Sequence, residues 1–358
     1  MERSEKARQS SPSSVQVPAK IICRNLWKIF GPEPKPTWSR LSAAGDHGEK
    51  VDPDGHVVAV RGVSFEVKKG STFVVMGLSG SGKSTMIRCL SRLIEPTAGE
   101  VLIDGVDVEK MPTRELIELR RQKMSMVFQH FGLLPHRKVI DNAAFGLEVR
   151  GVNRKERHDK AAEILELVGL KGWEDRYPSQ LSGGMQQRVG LARALAVEPE
   201  ILLFDEPFSA LDPLIRRDMQ DELLRLQSVL HKTMIFITHD FAEAVKMGDE
   251  IAIMKDGAVV QTGSPENVLS HPINAYVQKF TEDVPLYNIL SAGGVMNPYD
   301  PDEDYADTTV NIDSKLCELI PITAATARPV AVIDADGKRV GSVDRKTVLL
   351  ALSGDRHL

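Results

Sequence analysis

Glycines, a lysine and several hydroxyls crowd into Gly77-Leu78-Ser79-Gly80-Ser81-Gly82-Lys83-Ser84-Thr85, the GxxxxGK[ST] pattern of a polyphosphate site. Glycines let backbone N–H groups turn inward around a β-phosphate, Lys83 reaches the β/γ oxygens, and Ser84 can ligate Mg²⁺. A second acidic site should complete the metal. Ile201-Leu202-Leu203-Phe204-Asp205-Glu206 ends an apolar run in two carboxylates, of which Asp205 can hold Mg²⁺ through water and Glu206 can polarise an attacking water. Each has an ordinary explanation alone, a Gly/Ser turn before a helix or a solvated acidic strand end. Together they describe hydrolysis of a nucleoside triphosphate.

Such groups need a strand–loop–helix frame, and the chain offers one. Apolar runs at Phe73–Met76, Met124–Phe128, Ile201–Phe204, Met234–Ile237 and Ile251–Met254 are short enough for buried parallel strands, and helical segments alternate with them. The expected class is α/β. Lys255-Asp256-Gly257-Ala258 reads as a hairpin turn. Between the Met124 and Ile201 strands, about 130–195, lies a mainly helical stretch in which Asn153 can cap a helix carrying Ala161, Leu165 and Val168 on one face. Upstream, Ile21–Phe30 reads as a strand, and 31–56, broken by Pro32, Pro34, Pro36 and Pro53, as a surface insertion. Residues 1–20 lack an apolar core segment, so they read as a disordered N-terminus and not as a secretory signal.

Leu181-Ser182-Gly183-Gly184-Met185-Gln186-Gln187-Arg188 stands between the two phosphate motifs. Physically, a Ser and two Gly at a helix N-terminus present a hydroxyl, free N–H groups and a positive dipole end to a phosphate. The segment resembles the signature of ATP-binding cassette (ABC) ATPases, with Met185 where Gln is common. The resemblance implies ATP and Mg²⁺ as ligands and a homodimer in which Ser182, Gly183 and Gly184 act on the nucleotide of the opposite subunit. It also implies that Gln129 is the Q-loop glutamine sensing Mg²⁺ and water, Asp212 of Ser209-Ala210-Leu211-Asp212 the D-loop, His239 the switch histidine, and Phe30 the adenine platform. The expected architecture is therefore a P-loop ABC ATPase core over 21–281 with an inserted helical subdomain.

Asn25-Leu26-Trp27-Lys28-Ile29-Phe30-Gly31, Arg92-Leu93-Ile94-Glu95-Pro96-Thr97 and Phe208 to Arg216 are, more narrowly, similar to the ATPase subunits of quaternary-amine importers, which take up glycine betaine, proline betaine, choline or proline. This implies a separate integral membrane permease, an indirect extracytoplasmic solute-binding protein, and a peripheral place on the cytoplasmic face of the inner membrane. A soluble ABC ATPase acting on DNA or ribosomes is the competing reading. Against it stand a formal charge of -5, which offers no global field for nucleic acid, and the lack of cysteine pairs around Cys23, Cys89 and Cys317. A P-loop kinase or GTPase fails on the signature and on the lack of an Asn-Lys-x-Asp segment.

Beyond the core, Asp300, Asp302, Glu303, Asp304 and Asp307 crowd around Pro298 and Pro301, and 282–308 reads as a self-repelling acidic linker. The tail, 309–358, regains strands at Pro329–Ile333 and Val340–Val343 and a helix at Thr347–Leu352, resembling the end of one cystathionine β-synthase (CBS) module. Asp344 and Thr347 stand where ligand-binding modules have Thr and Asp, so a vestigial or dimer-paired half-module is expected. A weak linker predicts that truncation after about Phe280 leaves basal hydrolysis intact.

Overall fold

The computed structural model describes residues 18–43, 55–129, 132–281 and 286–353. Ten strands build the larger part: β1 (Ala19–Phe30), β2 (Val57–Lys68), β3 (Thr72–Met76), β4 (Ala98–Ile103), β5 (Val106–Asp107), β6 (Met124–Val127), β7 (Ile201–Asp205), β8 (Thr233–Thr238), β9 (Glu250–Lys255) and β10 (Ala258–Gly263). Six of them form a sheet in the order β10-β9-β3-β8-β7-β6, parallel except for β10, which returns through the Asp256-Gly257 hairpin. The central strands are buried on both faces, which is why they read as continuous apolar runs. Their alternate residues feed two cores. Val74, Leu202, Phe204, Phe236 and Ile253 face the helices, and Phe73, Leu203, Ile235 and Ala252 face a second, antiparallel sheet, β2-β1-β4-β5.

The inserted helical region holds helices at Val139–Ala143, Phe145–Val149, Arg154–Leu167 and Gly183–Ala196. Asn153 caps the third by accepting the Glu156 N–H at 3.0 Å, and Ala161 and Leu165 are buried on its inner face. Two boundaries differ from the sequence reading. Ala19 and Lys20, counted with a disordered N-terminus, open β1, and Lys20 is buried between Asp104 and Glu200. The 1–17 part of that expectation lies outside the described residues. The insertion holds a helix, Pro34–Ala43, whose Trp38 and Leu41 pack on Trp27, Ile29 and Val58. Its prolines occupy the first turn, where no intrahelical N–H is required. Residues 44–54 of the insertion lie outside the described residues.

The acidic linker is the larger correction. Leu286–Asn288 forms a short 3₁₀ turn, Ala292–Val295 a helical turn, and β11 (Asn297–Pro298) pairs with the tail. Together with β12 (Thr309–Asn311), β13 (Val330–Ile333) and β14 (Arg339–Val343) it makes a sheet ordered β11-β14-β13-β12, packed under helices Leu316–Ala325 and Arg345–Ser353. Adjacent residues divide between two cores: Ile289 is buried with the ATPase core, and Leu290 with the C-terminal one. Glu266 of the Pro265–Ser270 helix fastens the seam by accepting the N–H and hydroxyl of Ser291 at 3.0 and 2.9 Å. The acidic charges are confined to the loop before β12, where Arg328 pairs with Asp304 at 3.4 Å and Asp307 at 3.8 Å. Self-repulsion described that loop and not the apolar residues before it. Residues 282–285 and 354–358 lie outside the described part of the linker and tail.

Candidate active site

The loop after β3 is held open by its neighbours. Gly82 has φ 102°, and a Cβ there would lie 2.1 Å from the carbonyl oxygen of Ala59, so only glycine lets the turn enter the Lys83–Leu90 helix. The loop is fastened from outside as the Gly257 N–H donates to the Ser81 carbonyl at 3.0 Å. Lys83 is 3% exposed, and its ammonium donates to the carbonyls of Gly77 at 2.8 Å and Leu78 at 3.0 Å. Burial pushes its pKa down, and Glu206, 3.5 Å away, pushes it back up. A buried ammonium held by two loop carbonyls, with one carboxylate at 3.5 Å, suits the anionic oxygens of a phosphate. Ser81 Oγ is buried with no hydrogen-bond partner, another polar atom that a phosphate would satisfy. Ser79 and Gly80 are exposed at the loop tip, and Thr85 is half-buried in the first helical turn.

The end of β7 supplies the carboxylates. Asp205, 2% exposed, accepts from Ser84 Oγ at 2.6 Å and from Arg88 Nη2 at 3.2 Å. Two hard oxygen donors in contact fit Mg²⁺, which takes carboxylate, hydroxyl, water and phosphate oxygens. Glu206 leaves the strand with φ 47°, a left-handed conformation that costs a non-glycine residue about 1–2 kcal/mol. That turn swings its carboxylate out of the sheet, where Oε2 meets Nδ1 of His239 at 3.0 Å and Oε1 faces Lys83. His239 itself, just past β8, is half exposed at 51%.

Lys83, Ser84, Asp205, Glu206 and His239 thus form one cluster. Among the described residues, the remaining predicted ones outside the phosphate loop make no hydrogen bond or ion pair to this cluster. Ser182 caps the Gly183–Ala196 helix by accepting the Met185 N–H at 3.3 Å, and Ser182 and Gly183 are exposed. Gly184 is buried, and a Cβ on it would lie 2.4 Å from Ile215 Cγ2, so the signature helix packs against the start of the Pro213–Leu230 helix. Asp212 caps that second helix by accepting the Ile215 N–H at 3.0 Å and is exposed. Phe30 is 42% exposed at the end of β1, with the Lys28 ammonium 4.8 Å from its ring centre. Gln129 is half-buried just past β6.

The sequence reading missed two supports. Arg88, which holds Asp205, lies four residues after Ser84, so helical spacing alone puts both on one face. Tyr276, on the Ala275–Thr281 helix, donates at 3.2 Å to the Met254 carbonyl, whose oxygen lies 2.3 Å from where a Cβ on Gly77 of the phosphate loop would stand. It sits far from every motif, and no sequence signal marks it.

A parallel sheet with the phosphate loop between β3 and its helix, carboxylates ending the neighbouring strand but one, and an exposed Ser-Gly-Gly helix start define an ABC-type ATPase. The family model described as ABC transporter matches residues 60–209. The chain is 49% identical over 334 residues to the trimethylamine N-oxide transport system ATP-binding protein of Ruegeria pomeroyi, covering 92% of this chain and 96% of that protein. It is 55% identical over 278 residues to the glycine betaine/carnitine transport ATP-binding protein of Listeria monocytogenes, covering 78% of this chain and 70% of that one. Among solved structures, the dimeric post-hydrolysis state of the ATP-binding cassette MJ0796 with ADP and Pi matches with a TM-score of 0.58 and 32% identity, over 68% of this chain and 98% of that one. The chain belongs to the ATP-hydrolysing subunits of ABC transporters. Among the described residues no helix is long and apolar enough to cross a membrane.

Proposed function

We propose that this chain energises import of small methylated amines, of the glycine betaine, choline and trimethylamine N-oxide class, as a homodimer docked on a membrane permease at the cytoplasmic face. The observation that carries this reading is the match to the Ruegeria protein over 96% of its length, alongside 55% identity over 278 residues to a glycine betaine/carnitine transport subunit. An extracytoplasmic binding protein would deliver the solute. Nothing favours DNA or ribosomes as the partner.

In the proposed site, Lys83 and the N–H groups of Ser79 to Thr85 hold the ATP phosphates, and Phe30 stacks on adenine. Ser84, Asp205 and Gln129 would hold Mg²⁺, which when bound neutralises phosphate charge. Glu206 takes a proton from the water that attacks the γ-phosphate. The 3.0 Å contact from His239 Nδ1 keeps that carboxylate aimed, and the exposed side of the His239 ring is free to meet the phosphate. Ser182, Gly183 and Asp212 face outward and serve the partner subunit's nucleotide, and Gly184, buried against Ile215, sets the helix start that presents them. A single chain therefore holds half of each site, so hydrolysis depends on two chains closing.

The C-terminal domain is read as one CBS-like unit, a reading supported by its strand, helix, strand, strand, helix order from β12 onward. Its Asp344 and Thr347 are already engaged, Asp344 capping the last helix at the Thr347 N–H and Thr347 accepting from Asn297 at 3.0 Å. Uptake of radiolabelled glycine betaine, choline, proline and trimethylamine N-oxide in cells with and without this chain tests the function. Unchanged accumulation of all four would refute the solute class.

A further inference from the structure

Beside the switch histidine lies a polar network, buried at Glu243 and Gln220 and reaching the surface at Asp221, that the hydrolytic step does not use. Glu243, 6% exposed, accepts from Gln220 Nε2 at 3.0 Å. Lys246 donates to Gln220 Oε1 at 3.3 Å and pairs with Asp221 at 2.6 Å. Asp240, next to His239, accepts the Glu243 N–H at 3.1 Å and so caps the Phe241–Met247 helix. Arg216 reaches toward this cluster from the first turn of the Pro213–Leu230 helix. Its Nη2 donates to the Leu211 carbonyl at 3.1 Å, and its Nη1 lies 3.8 Å from Asp240 Oδ2.

These contacts close a circuit. Ser209 Oγ donates to the Glu206 carbonyl at 3.0 Å, which ties the start of the D-loop to the proposed base. Arg216 ties the end of the same loop, at Leu211, to Asp240, and His239 returns to Glu206 at 3.0 Å. We propose that Arg216 is a positioning residue that locks the D-loop main chain to the switch loop, so that Asp212 at the outer face and His239 on Glu206 move as one body. A planar guanidinium suits this task because its two edges can serve a carbonyl and a carboxylate at once, which an ammonium cannot do in fixed geometry. Through this link, a partner that moves Asp212 would move the switch histidine without touching it. The inference rests on the proposed roles of Glu206 and His239.

Arg216→Met keeps the apolar stem and removes both polar contacts. Asp240→Asn keeps the oxygen that caps Glu243 and removes only the charge. The expected result is that each lowers kcat about 10- to 100-fold through a misaligned His239. ATP affinity should stay within about threefold of wild type, because no phosphate-binding group is altered. The double variant should be no slower than the slower single, since both break the same link, and Arg216→Lys should recover only part of the rate. Turnover of Arg216→Met within about twofold of wild type would overturn the proposal. So would additive losses in the double variant, or a rate loss matched by equal losses in ATP affinity and thermal midpoint. If the unaltered dimer did not hydrolyse ATP at all, the reading of the site would fall first and this inference with it.

Discussion

Truncating Ile289 to alanine should destabilise the ATPase domain, although this residue lies in the segment whose charge reads as a linker. Ile289 is 7% exposed and is buried with Val268, Leu269 and Val277. Removing its outer carbons loses about 0.8 kcal/mol per buried methylene, plus a cavity contribution, which gives about 2–3 kcal/mol at this peripheral position. That is a large part of the roughly 5–15 kcal/mol that holds a domain together. Leu290→Ala is the matched control, also 7% exposed but buried in the C-terminal core with Leu316 and Val330. Urea unfolding with and without ADP separates the two, because ADP shifts only the transition of the domain that binds it. Ile289→Ala should lower the ADP-sensitive midpoint, and Leu290→Ala the other transition first. By the same logic, ending the chain after Phe280 removes Ile289 and both Ser291 contacts to Glu266, so it should impair the ATPase domain, contrary to the weak-linker expectation. An ADP-sensitive transition within about 0.5 kcal/mol of wild type in Ile289→Ala would refute the seam as a source of stability.

Glu206→Gln should bind ATP normally and hydrolyse it on the order of 100-fold more slowly or worse, since the proton acceptor is lost while Lys83 and the loop remain; near-normal single-turnover rates would remove Glu206 from its role. Lys83→Ala should weaken ATP binding by about tenfold or more because a buried cation on the phosphates disappears, and calorimetry reads this directly. Burial pushes the Glu109 carboxyl up from its ordinary 4.5 to about 7, with Glu95 and Asp107 adding to it. Between those values the folded chain holds a proton that the unfolded chain has released, so this residue's contribution to stability falls as pH rises through that window. Glu109→Gln should therefore be close to neutral at pH 5 and stabilising by on the order of 1 kcal/mol at pH 8, after allowance for solvent screening; equal urea midpoints for the two proteins at pH 8 would contradict it.

The site was legible where chemistry is local. Lys83, Ser84, Asp205, Glu206 and His239 sit in or beside short motifs at strand ends, and the fold gathers them as their order along the chain suggests. The central strands were legible because burial on both faces leaves uninterrupted apolar runs. Illegible features depend on distant partners. Arg88 finds Asp205 across 117 positions, and Tyr276 reaches the end of β9 from a helix with no motif. The Pro34–Ala43 helix was hidden by prolines that count as breakers unless they stand in a first turn. In 282–308, charge counting at Asp300–Asp307 outweighed Leu286, Ile289, Leu290 and Val295, whose spacing carries the opposite message.

The sheet order has a consequence for how the protein comes into being. β3, the strand that launches the phosphate loop, lies between β8 and β9 in that sheet, and the Thr72 N–H finds its partner in Asp249, 177 positions later. At about 5–20 residues per second on the ribosome, β3 therefore waits roughly 10–35 seconds for its flanking strands. Through that interval an apolar run, Phe73–Met76, has both edges unpaired, which is the condition under which nascent chains aggregate or recruit chaperones. No nucleotide can be held by a loop whose strand is not yet in its sheet, so ATP cannot assist early folding. Moving the chain ends by circular permutation, so that β8 and β9 are made before β3, should shorten the vulnerable period and raise the yield of folded protein at high expression.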